Sequence, residues 1–215
     1  MSDPMIELVR RALGRTRPLS EAPTPPAIPD SVARLVSRDA NLADVFAKSA
    51  VAAHFHLEIV AEADLRAQLA EFLRLNQFKN IGMPISPLFQ RLEIQKAIQE
   101  IGITVHRWPE STLDSAYDLD CGVTDVFAAV AETGSLVIRP NPDHGRALSL
   151  VPPMHIAVVE PANIVADLID LFAMTADSHP AMTLITGPSK TADIEGALVT
   201  GVHGPGLVQI FLLKD

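Results

Sequence analysis

Short apolar runs alternate with stretches of helical periodicity along most of this chain. Seven runs have the composition and length of β-strands, and they cover residues 55–60, 80–83, 103–108, 135–138, 155–159, 182–186 and 207–213. Strand-like runs that are separated by helical segments are typical of βαβ units, in which a mostly parallel sheet is covered on both faces. The pattern therefore predicts an α/β domain with three layers, α/β/α, and about five main helices.

The helical segments carry apolar residues at intervals of three and four. Such stripes fall within residues 42–50, 65–73, 94–101 and 164–172. Ser86 followed by Pro87 is a typical helix opening, and it predicts the start of the helix that carries the third stripe. A further short helix is predicted from Thr124, as its N-terminal cap, to Ala131. Gly134, just after its end, is predicted to be its C-terminal cap.

The first part of the chain differs from the rest in its proline content. Five prolines fall between Pro18 and Pro29, and regular structure cannot persist through such a segment. Before it, residues 5–14 have the spacing of a short amphipathic helix. We therefore predict two regions: residues 1–38 as a flexible N-terminal helix with a Pro-rich linker, and residues 39–215 as the folded domain. The helix is open to two interpretations, a partner-docking element or a frayed tail.

The charge of the chain narrows its possible partners. Among 215 residues, 26 Asp and Glu outnumber 17 Lys and Arg, which gives a net charge of −9 at pH 7. Such a chain repels a polyanionic backbone, so nucleic acid is not an expected partner. The sequence contains no apolar run long enough for a membrane span and no signal peptide pattern. The expectation is a cytoplasmic protein.

Cys121 is the only cysteine of the sequence. It has no partner for an internal disulfide, and an iron–sulfur cluster usually needs four thiolates. We therefore expect this chain to bind no cofactor, and any electrons used nearby to be carried by another chain. A lone cysteine beside apolar residues is usually a small hydrophobic residue, although a nucleophile is the alternative.

Candidate chemistry begins with the segment Thr-Gly-Pro-Ser-Lys-Thr-Ala-Asp at residues 186–193. Gly187 gives it flexibility and exposed amides, while Ser189 and Thr191 add hydroxyl groups. Lys190 adds a positive charge, and together these groups suit a carboxylate or phosphate. The segment lacks the glycines of a Walker loop, so it does not indicate ATP. The alternative is a turn with Lys190 in solvent.

A second glycine-rich segment, Gly-Val-His-Gly-Pro-Gly, follows at residues 201–206. His203 is a candidate ligand-binding or proton-carrying residue, and Gly204 lets backbone approach a ligand closely. A hydrogen bond from His203 to a neighbouring carbonyl is the alternative. In open parallel sheets, ligands gather beyond the carboxyl ends of the strands, so we expect the site among the loops after Ile138, Val159 and Thr186.

Glu132 lies in the sequence Glu-Thr-Gly-Ser, between the predicted helix and the strand at residues 135–138. A carboxylate at such a position can act as an acid, a base or a nucleophile, so Glu132 is a candidate catalytic residue. A solvated or ion-paired glutamate is the more common alternative.

The histidines do not form a metal-binding pattern. His54 and His56 fall on one side of a predicted strand without a third ligand nearby, which favours surface positions. His144, His155 and His203 could converge in space, but their spacing carries no metal signature. No metal site is predicted.

Four segments of the sequence form a more specific pattern in combination. They are Gly-Val-Thr at residues 122–124 with Ala-Glu-Thr-Gly-Ser at 131–135, Leu-Val-Pro-Pro-Met-His-Ile at 150–156, Thr-Gly-Pro-Ser-Lys-Thr-Ala-Asp-Ile-Glu at 186–195, and Gly-Val-His-Gly-Pro at 201–205. Their order and spacing resemble the lactate-utilization protein C family, whose characteristic region is the LUD domain. The resemblance implies that residues 39–215 are a LUD domain, with a fold similar to the sugar-phosphate isomerase and coenzyme A transferase group.

Members of this family resemble one subunit of a three-part cytoplasmic system that oxidises L-lactate to pyruvate. The other two subunits of that system carry iron–sulfur motifs, so the resemblance implies iron–sulfur partner subunits for this chain. The first hypothesis is therefore a non-redox subunit that binds a small carboxylate or phosphate-bearing ligand through Gly187, Ser189, Lys190, Thr191 and the pair His203–Gly204.

Two other functions are compatible with the sequence. One is a stand-alone enzyme, similar to coenzyme A transferases or sugar-phosphate isomerases, that uses Glu132. The other is a scaffold whose glycine-rich loops form a protein interface. The fold alone does not decide between them, because one fold hosts many reactions.

Overall fold

The structure is a computed structural model that describes residues 4–15, 29–175, 181–194 and 197–214. Two compact units divide the chain, Met1–Arg34 and Leu35–Asp215. The first unit contains helix α1 (Pro4–Ala12), where an amphipathic helix is predicted, and the short helix α2 (Asp30–Ala33). Most of the predicted Pro-rich linker, residues 16–28, lies outside the described residues.

The second unit holds the remaining elements that the structure describes. Its helices are α3 (Leu42–Ala52), α4 (Glu62–Leu75), α5 (Pro87–Arg91), α6 (Ile94–Glu100), α7 (Leu113–Ala116), α8 (Ala147–Leu150) and α9 (Leu168–Met174). Its strands are β1 (His56–Ala61), β2 (Asn80–Met83), β3 (Thr104–Arg107), β4 (Cys121–Asp125), β5 (Ala128–Val130), β6 (Ser135–Ile138), β7 (Met154–Val159), β8 (Ile164–Val165), β9 (Thr183–Ile185), β10 (Lys190–Ile194), β11 (Ala197–Thr200) and β12 (Leu207–Lys214). Two 3₁₀ turns, Trp108–Glu110 and Pro161–Asn163, complete the set.

Six strands form a central sheet in the order β1-β12-β7-β4-β2-β3, and every neighbouring pair is parallel. All six residues of β7 are buried, as are residues 208–213 of β12. Strands that are apolar on both sides cannot face water, so both faces of the sheet must be covered. The predicted α/β fold with a mostly parallel sheet is therefore confirmed.

Each face of the central sheet has its own apolar core. On one face, α4, α5 and α6 pack on alternate strand residues that include Ile81, Val123 and Ile156. On the other face, Ala157 and Ile210 belong to a core that also contains residues of α3. Side chains of neighbouring strand positions point to opposite faces, so a continuous apolar run such as β7 supplies both cores.

A second sheet contributes to the core on the α3 face. Its strand order is β8-β5-β6-β9; β5 pairs with β8 in parallel and with β6 antiparallel, and β6 pairs antiparallel with β9. Ala129 and Leu136 of this sheet pack in one cluster with Phe46 of α3. The strands β10 and β11 form a separate antiparallel pair.

The predicted helix from Thr124 to Ala131 is wrong, because this segment belongs to β4 and β5. Between residues 121 and 130, every residue except Asp125 and Phe127 is buried. A surface helix would leave one side of such a sequence in water, whereas two strands in two sheets bury nearly all of it. Gly134 is therefore not a helix cap; it has a φ of +66° in the turn between β5 and β6.

Three further predictions need correction. The helix predicted to open at Ser86 and to carry the 94–101 stripe is two helices, α5 and α6, and Glu93 between them has a φ of +49°. The strands β6 and β9 lie in the second sheet. The expectation that ligands bind beyond the carboxyl ends of parallel strands therefore does not apply to the loops after Ile138 and Thr186. The helix predicted within residues 164–172 begins only at Leu168. It starts there because the Asp167 side chain caps it by accepting a hydrogen bond from the Asp170 amide at 2.9 Å.

Helix α8 approaches the central sheet closely at Gly122. A Cβ atom added to Gly122 would lie 1.7 Å from the Leu148 carbonyl oxygen, which is backbone and cannot rotate away. At Gly82 on β2, an added Cβ would instead meet the ends of the Leu119 and Leu148 side chains at 2.5 and 2.6 Å. Glycine at these two positions lets the α7–α8 layer sit directly on the strands.

Replacing Gly122 with alanine should therefore destabilise the domain by about 3 kcal/mol or more, since the backbone of α8 must move. Gly82→Ala should cost less, because flexible side chains can move aside. Urea unfolding followed by circular dichroism measures both changes. Gly204→Ala is the matched control, as its added Cβ meets no atom closer than 3.4 Å. A Gly122→Ala protein as stable as the wild type would contradict this packing.

Candidate functional site

The two glycine-rich segments meet in a cavity of about 220 Å³ next to the amino end of β12. Gly187 and Ser189 from the first segment line it together with His203 and Gly204 from the second. Ser149, the third residue of α8, lies on another side of the same cavity. We name this space the loop cavity. The structure thus brings together four of the six residues predicted to bind an anion.

Backbone hydrogen bonds hold the walls of the loop cavity in place. The Ser189 amide donates to the Pro205 carbonyl at 2.8 Å, and the Gly201 amide donates to the Ser189 carbonyl at 2.9 Å. The Gly206 amide donates to the Pro153 carbonyl at 3.0 Å, which ties the second segment to the start of β7. Both segments are therefore fixed relative to the central sheet.

Lys190 and Thr191 do not line the loop cavity among the residues that the structure describes. They begin β10, where Lys190 pairs with Thr200 and Thr191 with Val199 of β11. The Lys190 side chain is exposed. Lys190 is therefore next to the cavity residue Ser189 in sequence but is not part of the cavity wall.

Glu132 lies in the turn between β5 and β6, where it is half-buried. Its amide donates to the Ala166 carbonyl at 3.0 Å. Beside it, hydroxyl groups link Thr133 to Ser135 at 2.6 Å and Ser135 to Thr186 at 2.7 Å. Thr186 lines the loop cavity, so the Glu-Thr-Gly-Ser segment supports the wall of that cavity.

A second polar group lies at the carboxyl ends of β2 and β4. Asp125 is the last residue of β4, and its Oδ2 accepts a hydrogen bond of 2.6 Å from the Ser86 hydroxyl. Ser86 is buried and also caps α5. Nδ1 of His144 lies 3.5 Å from Oδ1 of Asp125. Three side chains that are distant in sequence thus meet where β2 and β4 end.

The loop that carries His144 is held at three points. Asn141 and His144 exchange two backbone hydrogen bonds of 3.0 and 3.1 Å. The Ile85 amide donates to the Asp143 carbonyl at 3.0 Å. Gly145 lies against the ring of Trp108, where an added Cβ would be 1.8 Å from a ring carbon. The position of the His144 ring is therefore set by the backbone.

His155 lies next to this group and is fully buried. Its Nε2 forms a hydrogen bond of 2.9 Å with the Thr124 hydroxyl. Burial, with a smaller contribution from the nearby His144, lowers the pKa of His155 to about 3. Burial also lowers the pKa of His144, an effect that the Asp125 carboxylate opposes only in part. Both rings are therefore neutral at neutral pH.

Residues 43–213 match the family description of the LUD domain, which covers most of the chain. The chain belongs to the LUD-domain family. The match includes both the loop cavity and the polar group at the end of β4.

Several relatives of this LUD domain are named Lactate utilization protein C. The protein from Bacillus subtilis is 31% identical over 148 residues, which cover 62% of this chain and 62% of the relative. The protein from Anoxybacillus flavithermus is 26% identical over 180 residues, or 81% of each chain. The protein from Exiguobacterium is 34% identical over 114 residues, or 50% of each chain. Two of these three matches thus span less than two thirds of the relative.

A solved structure shares the fold of this LUD domain. The crystal structure of a DUF162 family protein from Deinococcus radiodurans has a TM-score of 0.60 and 22% sequence identity. The likeness covers 80% of this chain and 96% of that one. At this level of identity, the likeness concerns the fold alone.

Sequence reasoning missed the grouping of Ser86, Asp125 and His144. The strand β4 belongs to the parallel sheet and ends at Asp125, so the preference of ligands for the carboxyl ends of such strands indicates Asp125 as a candidate. The helix predicted from Thr124 removed that strand from consideration. Of the three histidines considered together, His144 and His155 are neighbours in the LUD domain, whereas His203 lines the loop cavity.

Cys121 is buried in the LUD domain, and burial raises the pKa of its thiol. A buried thiol of this kind is neither a ready nucleophile nor a ready metal ligand. Within the described ranges, no three His, Cys, Asp or Glu side chains are grouped to hold a metal ion. None of the described helices has the length and apolar character needed to span a bilayer.

The neutral His155 makes stability depend on pH in a defined direction. The unfolded chain takes up a proton near the ordinary histidine pKa of about 6.5, whereas the folded chain does so only near a pKa of about 3. The contribution of the neutral His155 to the stability of the fold is complete above about pH 6.5 and decreases as the pH falls. Below that pH, the free energy of unfolding should fall by about 1.4 kcal/mol for each pH unit, because the unfolded chain binds one proton more than the folded chain.

Urea unfolding between pH 7.5 and pH 5, in steps of about half a unit, measures this slope. His155→Gln should flatten it, because glutamine takes up no proton. His56→Gln is the matched control, since His56 is exposed. An unchanged slope in the His155→Gln protein would show that His155 does not carry this effect.

Proposed function

We propose that this LUD domain acts in lactate utilisation in the cytoplasm, as a component that binds a small anion. In this proposal, electron transfer belongs to iron–sulfur partner subunits. The names of relatives from three genera support the metabolic assignment. The single observation that carries the binding role is the loop cavity, because the segment that follows β9 and the segment that joins β11 to β12 converge there with polar groups.

The assignment of electron transfer to partners rests on the cysteine content. This chain contributes one cysteine, whereas an iron–sulfur cluster usually takes four thiolates. That cysteine is the first residue of β4, and it is buried in the apolar core on one face of the sheet. A LUD domain with this composition is suited to hold a reactant or a partner and not a cluster.

The chemistry of the loop cavity favours an anion. Ser189 supplies a hydroxyl group, and His203 supplies an imidazole with an exposed side chain. Gly187 has a φ of +95°, and Gly204 has no side chain to cover its backbone. Donors of these kinds bind carboxylate and phosphate oxygens. Lys190, exposed and adjacent to Ser189, adds positive charge at longer range.

Binding of inorganic phosphate, measured by isothermal titration calorimetry, tests the anion site. His203→Ala and Ser189→Ala should each weaken binding by about five- to tenfold, because each removes one hydrogen bond to a charged ligand. Lys190→Ala should weaken it by only about two- to threefold, an effect that high salt removes.

His56→Ala provides the matched control for the loss of an exposed imidazole. Thermal unfolding of each variant separates a loss of binding from a loss of fold. Phosphate affinity that is unchanged in both His203→Ala and Ser189→Ala would refute the proposed site.

Purification of the tagged protein from its native cells tests the role within a larger assembly. We expect companion chains that contain groups of four cysteines, and iron that co-purifies with those chains. The chain expressed alone should contain no stoichiometric iron, because one buried thiol cannot hold a cluster. A cluster or flavin bound in stoichiometric amount to the isolated chain would overturn the non-redox assignment.

A further inference from the structure

Helix α1 (Pro4–Ala12) presents an apolar surface that the proposed function does not use. None of its nine residues, all within the described part of the chain, is buried. The large apolar residues of this helix and of the turn after it are each 50–72% exposed: Met5, Ile6, Leu8, Val9 and Leu13. A soluble protein that exposes contiguous apolar residues to this extent usually uses them to contact another molecule or a membrane.

The apolar residues all lie on one side of the helix. Leu13 continues the helical turn, because its amide donates to the Val9 carbonyl at 3.0 Å. At about 100° per residue, the apolar positions occupy an arc of about 160°. Residues 5, 6, 8, 9, 12 and 13 form this arc, which we name the α1 apolar face. A one-sided apolar helix must cover this face to leave water.

The charged residues of α1 have a defined position relative to the apolar face. By the same geometry, Arg10 lies at one border of the face and Arg11 at the other, whereas Glu7 lies about 180° from its centre. Glu7 accepts hydrogen bonds from Arg10 at 2.5 Å and from Arg11 at 3.4 Å. The single carboxylate is therefore held on the side opposite to the apolar face, between the two guanidinium groups.

The charge of this segment is opposite to that of the rest of the chain. Residues 4–15 contain three arginines and one glutamate, which gives a net charge of +2. Because the whole sequence has a net charge of −9, the remaining residues carry −11. An anionic surface therefore attracts the α1 segment and repels the folded domain.

A lipid surface fits these features better than a groove on a protein. Residues that anchor a helix in a protein groove are often aromatic, whereas residues 4–15 include no Phe, Trp or Tyr. A bilayer interface needs no shape match and accepts a wide aliphatic face. Arginines at the borders of such a face can extend to the lipid phosphates while their alkyl stems stay near the acyl chains.

We propose that α1 lies in the plane of an anionic phospholipid surface, with its apolar face toward the acyl chains. Arg10 and Arg11 then contact lipid phosphates from the two borders of the face, and Glu7 faces water. A single short helix gives reversible attachment, not permanent insertion. The proposal does not depend on anion binding in the loop cavity.

Co-sedimentation of the purified protein with phospholipid vesicles tests the proposal. The affinity should be at least about fivefold higher for vesicles of equal parts phosphatidylcholine and phosphatidylglycerol than for phosphatidylcholine alone. The difference should largely disappear at about 0.5 M NaCl, because salt screens the surface charge. No binding to the anionic vesicles, or equal binding to both kinds, would overturn the proposal.

A substitution within the apolar face tests which surface of the protein binds. The combined change Leu8→Gln and Val9→Gln should weaken binding to the anionic vesicles at least about tenfold, because two apolar side chains no longer favour the acyl region. Leu75→Gln is the matched control, since Leu75 is similarly exposed at the end of α4. Thermal unfolding of the folded domain should be unchanged, because α1 belongs to the other compact unit. Unchanged vesicle binding in the double variant would refute the role of the face.

Changes of charge test the orientation of the helix. Arg11→Gln should weaken binding about threefold, and only to the anionic vesicles. Arg74→Gln is the matched control, because Arg74 is an exposed arginine of α4 that also pairs with a glutamate of its own helix. Glu7→Gln should leave the affinity unchanged or raise it, since Glu7 faces water and carries negative charge. Weaker binding of the Glu7→Gln protein would contradict this orientation.

The companion chains expected on purification from native cells provide the alternative outcome. If the double variant loses those chains and the unmodified protein does not bind vesicles, α1 docks in a protein groove and the proposal is overturned. Loss of vesicle binding in the double variant, with phosphate affinity unchanged, supports the proposal and leaves the loop cavity untouched.

Discussion

The close contact between α8 and Gly122 governs the arrangement of both candidate sites. The Leu148 carbonyl rests on a strand position that has no side chain, so the short helix can lie directly on β4. His144, just before α8, lies beside Asp125 at the end of β4, while Ser149 of α8 lines the loop cavity. The short segment of residues 144–149 therefore sets the position of residues in both sites. Its close packing on β4 requires glycine at position 122.

The sequence contains enough information for the main layers of the fold. The continuous apolar runs of β7 and β12 require a sheet covered on both faces, and Ser86 with Pro87 defines the start of α5. Burial on both faces also explains why a helix was wrongly predicted from Thr124 to Ala131. Between Thr124 and Ala131, every residue except Asp125 and Phe127 is buried, so the segment does not have the polar face of a surface helix.

The candidate sites were predictable to different degrees. The loop cavity is built from two segments whose residue types already indicate anion binding, so Ser189 and His203 could be identified from local chemistry. The grouping of Ser86, Asp125 and His144 depends on strand order instead. Asp125 meets Ser86 because β4 and β2 are neighbours, and a single sequence does not reveal that adjacency. Residues with ordinary local surroundings thus acquire a chemical role only through the topology.

The turn at Gly134 has a mechanical consequence for the domain. A Cβ atom there would lie 2.3 Å from the Ala50 amide nitrogen in α3, so the turn is in direct backbone contact with that helix. Because α3 also packs on the central sheet, the two sheets are clamped to the same helix. A hinge motion that swings the second sheet outward would first have to break this contact. Access to the sites in this domain is therefore a matter of small loop and side-chain movements, not of one sheet opening from the other.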